Sequence, residues 1–374
     1  MIFYETIRLN RMFLIYLYFT SMLTVAFDNQ TVLAERYGGV AEYFVELAAG
    51  LTQVSEIRPV YCGGLYRNLN LRRNRHRFET RGYWIPGVYR KLKMHQLSTA
   101  LCARQMRELK PDIIHETNYS LNPPGWDIPA KRVLTVYDMI HEKFMPDTAT
   151  PALKRAAIAR ADLILCISES TRRDLLAYYP QVAHKTRVTL LGGPTQAPMA
   201  PRLPELTEPY LLYVGNRYGY KNFSGLLRAY ASCPSLREKT QLVAWGGKPW
   251  SAEEIANLAD LGLSSRVRII PDTTPVGQLY QHAEVFVFPS RYEGFGLPLL
   301  EAQAYGCPIA CSNTSSFPEV AGPTAGYFDP ESSADMIRAI LAQLAHGRSA
   351  ASAGTGVFSW SDCAHKTKVA YQGL

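Results

Sequence analysis

The 374-residue chain has no Cys-x2-Cys pair, and its seven cysteines (Cys62, Cys102, Cys166, Cys233, Cys307, Cys311 and Cys363) are scattered without a histidine at metal-ligand spacing. That pattern excludes a disulfide framework and a zinc site, and the thiols read as reduced in a cytosolic protein, with no metal expected. The Gly-x-Gly-x-x-Gly fingerprint of dinucleotide loops is also missing. Nor is there a confident membrane span. Residues 12–19 and 22–27 are apolar, but Asp28 ends the stretch about four residues short of a span. No small-residue cleavage site follows, and Arg8 with Arg11 is a thin basic flank. Residues 1–21 are therefore expected to be an N-terminal extension or a weak hydrophobic segment. Acidic side chains are the scarcer charge, 32 against 40 basic ones, for a formal net charge of +8. The surplus favours an anionic partner: nucleic acid, an anionic leaflet or a phosphorylated substrate.

What is present in quantity is apolar, 47% of the residues, over a length comfortable for two domains. A strand-like run at 22–27 is followed by Gly38-Gly39 and then Val40, Tyr43, Phe44, Leu47 and Ala48 at helical spacing. Further strand-like runs fall at 60–62, 113–115, 132–137, 163–168 and 187–191, separated by helical stretches such as 95–109 and 152–161. Residues 192–204 form a proline-rich polar connector, after which the alternation restarts: strands at 210–214, 242–245, 267–270, 285–288 and 309–312, with a helix at 335–346. Strand and helix alternating twice over predicts an α/β fold of two parallel sheets with a ligand cleft between them.

One stretch carries the most chemical information. Arg291-Tyr292-Glu293-Gly294-Phe295-Gly296-Leu297-Pro298-Leu299-Leu300-Glu301 places two carboxylates eight positions apart across a glycine-rich turn. Glycine at 294 and 296 permits torsions other residues resist, and Pro298 suits the first helical turn, so the turn should deliver a helix N-terminus to a ligand. Such an end favours an anion, and Glu301 could accept hydrogen bonds from sugar hydroxyls. Spacing alone leaves open that both glutamates are merely solvated.

With the flanking residues 288–302 and Gly306-Cys307-Pro308, this segment resembles the Glu-x7-Glu signature of retaining GT-B glycosyltransferases of family 4, the "glycosyl transferases group 1" type. The resemblance implies two Rossmann-like domains facing each other across a cleft: an acceptor-binding domain at 22–198, a nucleotide-sugar-binding domain at 199–355, and a segment at 356–374 crossing back to the first. It implies that Glu293 contacts the transferred hexose and Glu301 the ribose of the nucleotide, with Gly294, Phe295, Gly296 and Leu297 also on the donor side. Gly38 and Gly39 match the loop against the donor diphosphate, and Arg217 and Lys221, in the loop after strand 210–214, match the basic pair that contacts it. Glu293 then serves sugar hydroxyls rather than acting as a nucleophile, which fits front-face attack with the leaving diphosphate stabilised by cations and N–H groups.

Two further clusters follow first-domain strands. His115 and Glu116 with Thr117-Asn118-Tyr119 are acceptor-side candidates, as is Tyr137, which stands where many relatives carry a catalytic-site His; Asp138 and His141 are its substitutes here. The similarity is greatest to the mannosyltransferase branch that builds bacterial O-antigen and capsular polysaccharides. It implies GDP-mannose as donor, a lipid-linked polyprenyl diphosphate saccharide as acceptor, and no cofactor or metal. Two other readings stay open: a UDP-sugar 2-epimerase-like isomerase, and a non-catalytic nucleotide-sugar-binding or membrane-docking protein. Between Arg67 and Lys93, Arg72, Arg73, Arg75, Arg77, Arg81, Arg90 and Lys91 interleave with Phe78, Tyr83, Trp84 and Tyr89, with Glu79 the sole acid. Cations and interfacial aromatics together suit an anionic leaflet, so residues 67–93 predict peripheral contact at the cytoplasmic membrane face rather than nucleic-acid binding.

Overall fold

The structure is a computed structural model that describes residues 22–34, 36, 38–86, 91–194, 199–348 and 358–374; the readings of residues 1–21, Tyr89 and Arg90 lie outside them. Among the described residues, the strands are β1 (Leu23–Phe27), β2 (Ile57–Tyr66), β3 (Glu79–Trp84), β4 (Ile113–Glu116), β5 (Lys131–Val136), β6 (Leu163–Cys166) and β7 (Thr186–Val188) in a first sheet. A second sheet holds β8 (Tyr210–Val214), β9 (Gln241–Trp245), β10 (Val267–Ile270), β11 (Val285–Phe288), β12 (Ile309–Ser312) and β13 (Gly326–Phe328). Every recorded strand pairing is parallel. Parallel strands sit beneath helices on both faces, and the all-apolar runs Tyr210–Val214 and Val285–Phe288 are accordingly buried at every position.

The strand orders are β3-β2-β1-β4-β5-β6-β7 and β10-β9-β8-β11-β12-β13. In each sheet the first strand is flanked by the second and by a strand reached by crossing over it, so the order reverses beside β1 and beside β8. Open α/β sheets bind ligands at the carboxyl ends of the strands around such a reversal. The segments that leave those strand ends begin at residues 28 and 117 in the first sheet, and span 215–222 and 289–296 in the second. Two strands escaped the sequence reading. β3 lies inside the arginine-rich stretch, where charge masks its alternation, and β13 is three residues long.

One apolar cluster runs through both units, from Phe27 and Phe44 to Phe288 and Phe295. The last helix, Trp360–Gln372, packs back on the first unit. An added Cβ on Gly50 would lie 3.0 Å from Ala364 Cβ, Gly193 N donates to Phe358 O at 2.9 Å, and Lys368 pairs with Glu56 at 3.0 Å. All seven cysteines are free and six are buried. Among the described residues no helix is long and apolar enough to cross a membrane.

Candidate active site

The helix Leu297–Ala304 starts from Gly296, which has φ 98° and ψ 53°, left-handed values that favour glycine. Pro298 lies in its first turn, and no side chain caps its first N–H groups, so these donors remain directed at the cleft. Gly294 corrects the torsional expectation, because its φ is not positive and its reason is space. A Cβ there would lie 1.7 Å from the carbonyl oxygen of Tyr137 and 3.1 Å from Asp138 Cβ, so the two units meet here backbone to backbone. Ser316 Oγ donates to the carbonyls of Glu293 at 3.1 Å and Phe295 at 2.8 Å, which stiffens the turn from below.

Glu293 Oε1 accepts from Lys221 Nζ at 2.6 Å, and Arg291 N donates to Tyr220 O at 2.8 Å, so the loops after β8 and β11 are tied across the reversal point. The Glu293–Lys221 pair is largely shielded, with side-chain exposures of 12% and 18%. Glu301 lies one turn into the helix, half-buried, and accepts from the Tyr280 hydroxyl at 3.0 Å. Burial, with a contribution from the Glu42 carboxylate across the cleft, pushes its carboxyl up to about 7, so near neutrality it both donates and accepts. A cation, two carboxylates of different character and a free helix N-terminus thus converge at the mouth of the second sheet. That set can hold a polyhydroxylated anion. Among the described residues no group of three His, Cys, Asp or Glu is placed to hold a metal.

The profile described as "Glycosyl transferases group 1" matches residues 198–353, and that of "Glycosyltransferase Family 4" matches 37–192. The chain belongs to the GT-B glycosyltransferases. It is 33% identical over 237 residues, 57% of this chain, to the O-antigen chain mannosyltransferase B of Escherichia coli, and 28% identical over 321 residues, 75% of this chain, to the E. coli serotype-specific mannosyltransferase WbdA. The matches span 61% and 39% of those relatives' own lengths. Its fold is also that of the sucrose-phosphate synthase from Thermosynechococcus elongatus, with TM-score 0.70 at 20% identity over 94% of this chain and 99% of that one.

In this GT-B chain, several expected site residues sit elsewhere than predicted. Arg217 does not stand beside Lys221 as a second free cation. Its guanidinium pairs with Glu254 at 2.8 Å, donates to the carbonyls of Gly246 at 3.1 Å and Lys248 at 2.7 Å, and lies 4.4 Å from the Trp250 ring centre. Glu254 is fixed there by the capping box it forms with Ser251 at the start of the helix Ala252–Asp260. His115 does not face the cleft: it is fully buried, with Nδ1 2.7 Å from the Tyr371 hydroxyl and Nε2 2.8 Å from Thr135 Oγ1, and burial lowers its pKa to about 3. Glu116 is buried beneath it and ion-paired to Arg160 at 2.5 Å and Arg132 at 3.5 Å. Both acceptor-side expectations fail for one reason: alternate residues of a parallel strand point into the helical layers rather than along the strand. Phe295 is buried against Phe358 with ring centres 5.8 Å apart, which leaves its backbone to a ligand, while Leu297 is partly buried against the core. Tyr137 turns its hydroxyl to Thr117 O at 3.0 Å.

Asp138 does reach the turn. Its Oδ1 accepts from Ile140 N at 2.9 Å, and its carbonyl is held at 2.8 Å by Lys154, a fully buried lysine that also pairs with Glu142 at 2.7 Å. His141 is half-buried in the helix Ile140–Phe144 that follows. Sequence reasoning missed the groups that bind the two units together. Ser168 Oγ and Thr171 Oγ1 donate to Gly294 O at 2.6 and 3.0 Å, Met139 N donates to the Tyr292 hydroxyl at 3.2 Å, and Glu319 accepts from Glu169 N and Ser170 N at 3.0 and 3.3 Å. Ser168 is the N-cap of the helix Glu169–Tyr178, and a capping serine straight after a buried strand was the one available signal.

The basic stretch is less free than its composition implies. Arg77 pairs with Glu46 at 2.7 Å, Arg81 and Arg58 share Glu79, and Arg72 lies 3.6 Å over the Trp84 ring. Arg73 and Arg75 remain exposed, and Tyr83 is 66% exposed.

Proposed function

We propose that this chain is a retaining hexosyltransferase that moves mannose from GDP-mannose to a lipid-linked saccharide acceptor, in the building of a cell-surface polysaccharide. The observation that carries the reading is the Lys221–Glu293 pair, 2.6 Å long, beside the uncapped start of the helix Leu297–Ala304. The N-terminal N–H groups and Lys221 would hold the diphosphate and stabilise it as it leaves. Glu293, exchanging its lysine for the donor, would orient the hexose through its hydroxyls, and Glu301 would take the ribose. Gly38 and Gly39 fit a close approach of the donor: Gly38, at φ 179°, is in an extended conformation open to any residue, and a side chain on Gly39 would meet nothing within 4 Å. The fold itself therefore demands neither glycine. Asp138, held against Gly294 by Lys154, faces the acceptor side of the same turn. Arg217 supports the site indirectly, by tying the loop after β8 to the helix Ala252–Asp260. The mannosyl donor rests on the names of the E. coli relatives. A lipid-linked acceptor at the membrane face rests on exposed Arg73 and Arg75 and on exposed Tyr83.

The test is donor binding by the purified protein, comparing GDP-mannose, UDP-glucose, UDP-N-acetylglucosamine and dTDP-sugars, with Glu301→Ala and Lys221→Ala alongside. GDP-mannose is expected to bind best and to be lost in both variants. Binding that both variants retain would overturn the site, and preference for another donor would overturn the sugar. Product from the preferred donor with an inverted anomeric centre would overturn the front-face mechanism.

A further inference from the structure

Beside the cleft, the first unit holds a cavity of about 640 Å³ between the helix Lys91–Leu109, the end of β1 and the connection from β4 to β5. Its polar wall includes Gln30, Gln96, Asn118, Ser120 and Asn122, and Trp126 stands on it 70% exposed. Leu97 and Leu121, next in sequence to Gln96 and Ser120, are 51% and 63% exposed. The guanidinium of Arg107 is committed to Asp127 at 3.0 Å, so that pair adds little net charge. Side-chain amides, which both donate and accept, beside an exposed indole match the two faces of a sugar ring: hydroxyls at its edge and C–H groups on its plane. With the Gln30 amide nitrogen committed to Asp28 and Asn118 O, the amides left to a ligand include those of Gln96 and Asn122, and with Arg107 paired to Asp127 this wall favours a neutral ring over a phosphate.

The cavity adjoins the reaction centre. Gln30 Nε2 links it to the strand ends, donating to Asp28 at 2.6 Å and to Asn118 O at 3.2 Å. Tyr119, also in its wall, accepts from Tyr137 N at 3.4 Å, and the Tyr137 carbonyl is the atom that meets Gly294. We propose that this cavity is a second saccharide subsite, which takes neutral sugar residues of the acceptor behind the one that receives the hexose. It rests on the acceptor reading above and sets the length of saccharide the enzyme prefers.

The test titrates the whole protein, without nucleotide, with mannobiose and mannotriose, following tryptophan fluorescence and amide NMR shifts. Trp126→Ala and Asn122→Ala change exposed side chains, and thermal unfolding checks that both variants remain folded. The parent should bind mannotriose more tightly than mannobiose, each variant about tenfold more weakly than the parent. In transfer assays the acceptor KM should rise about tenfold for a trisaccharide acceptor and less for a monosaccharide one. A parent that binds neither saccharide, variants that bind as the parent does, or a KM change independent of acceptor length would each overturn the subsite. Donor binding is read separately, so failure of the transferase reading is distinguishable from failure of the subsite.

Discussion

Gly294→Ala is the sharpest test of how the two units make one site. The new methyl carbon would lie 1.7 Å from the Tyr137 carbonyl oxygen and 2.8 Å from its carbon, where ordinary contact begins at 3.4 Å. The loops must part by about 1.7 Å, and the obstacle is backbone on both sides, so no side-chain rotation relieves it. Parting them stretches the hydrogen bonds from Ser168 and Thr171 to Gly294 O, at 2.6 and 3.0 Å, and from Met139 N to Tyr292, at 3.2 Å. At about 1 kcal/mol net for each, the closed arrangement loses roughly 2–4 kcal/mol. Neither sheet loses core packing, so the strain opens the cleft rather than unfolding a unit. The expected outcome is a fall in kcat/KM of about 10²-fold with a Tm change of only a few degrees. Steady-state kinetics read the first, calorimetry the second, and solution scattering should show a larger radius of gyration. Activity within twofold of the parent would refute the claim that this contact belongs to the working enzyme.

Gly39→Ala should leave thermal stability unchanged, since its methyl meets nothing within 4 Å, yet weaken donor binding; unchanged donor affinity by calorimetric titration would remove that loop from the site. Glu301→Gln should abolish donor binding while stabilising the protein at high pH. The folded carboxyl, at about 7 against an ordinary 4.5, keeps a proton that the unfolded chain releases, so stability declines as pH rises between these values. The variant should escape that decline and gain about 2–3 kcal/mol at pH 8 and almost nothing at pH 4, by denaturant unfolding; identical pH slopes would contradict it. Lys221→Ala should lower kcat/KM by about 10²-fold or more and, because it leaves the shielded Glu293 carboxylate unpaired, also lower Tm; kcat/KM within twofold of the parent in steady-state kinetics would remove Lys221 from the site. Arg217→Ala should cost about 3 kcal/mol of stability, because it leaves Glu254 and two carbonyls without their partner; a variant as stable as the parent would show that Arg217 is no structural tie. Replacing Arg73 and Arg75 by Ala should weaken partitioning onto anionic vesicles about 30-fold, at about 1 kcal/mol each, and leave neutral vesicles unaffected; equal partitioning in a sedimentation assay would remove the membrane role from this surface.

Much of the site was readable because its signals are local. The turn at 293–301 combines a positive-φ glycine, a proline in the first helical turn and a carboxylate one turn further on, all within nine consecutive residues. What resisted reading depends on partners far apart in the chain. Ser168 meets Gly294 across 126 positions and His115 meets Tyr371 across 256, so nothing near Ser168 or His115 announces the contact. His115 and Arg217 were misplaced by the same limit. A histidine at a strand end and an arginine in a loop look available until packing brings a tyrosine hydroxyl or a carboxylate to them.

The sequence by itself determined the two α/β units, the parallel strands and the helix N-terminus at Leu297, because buried parallel strands and helix starts are written in runs of neighbouring residues. The tertiary structure alone decided that Gly294 is kept for space rather than torsion, that Lys221 rather than Arg217 meets Glu293, and that burial pushes the Glu301 carboxyl up to about 7. Those properties are set by distances and by exclusion of water between segments that only folding brings together.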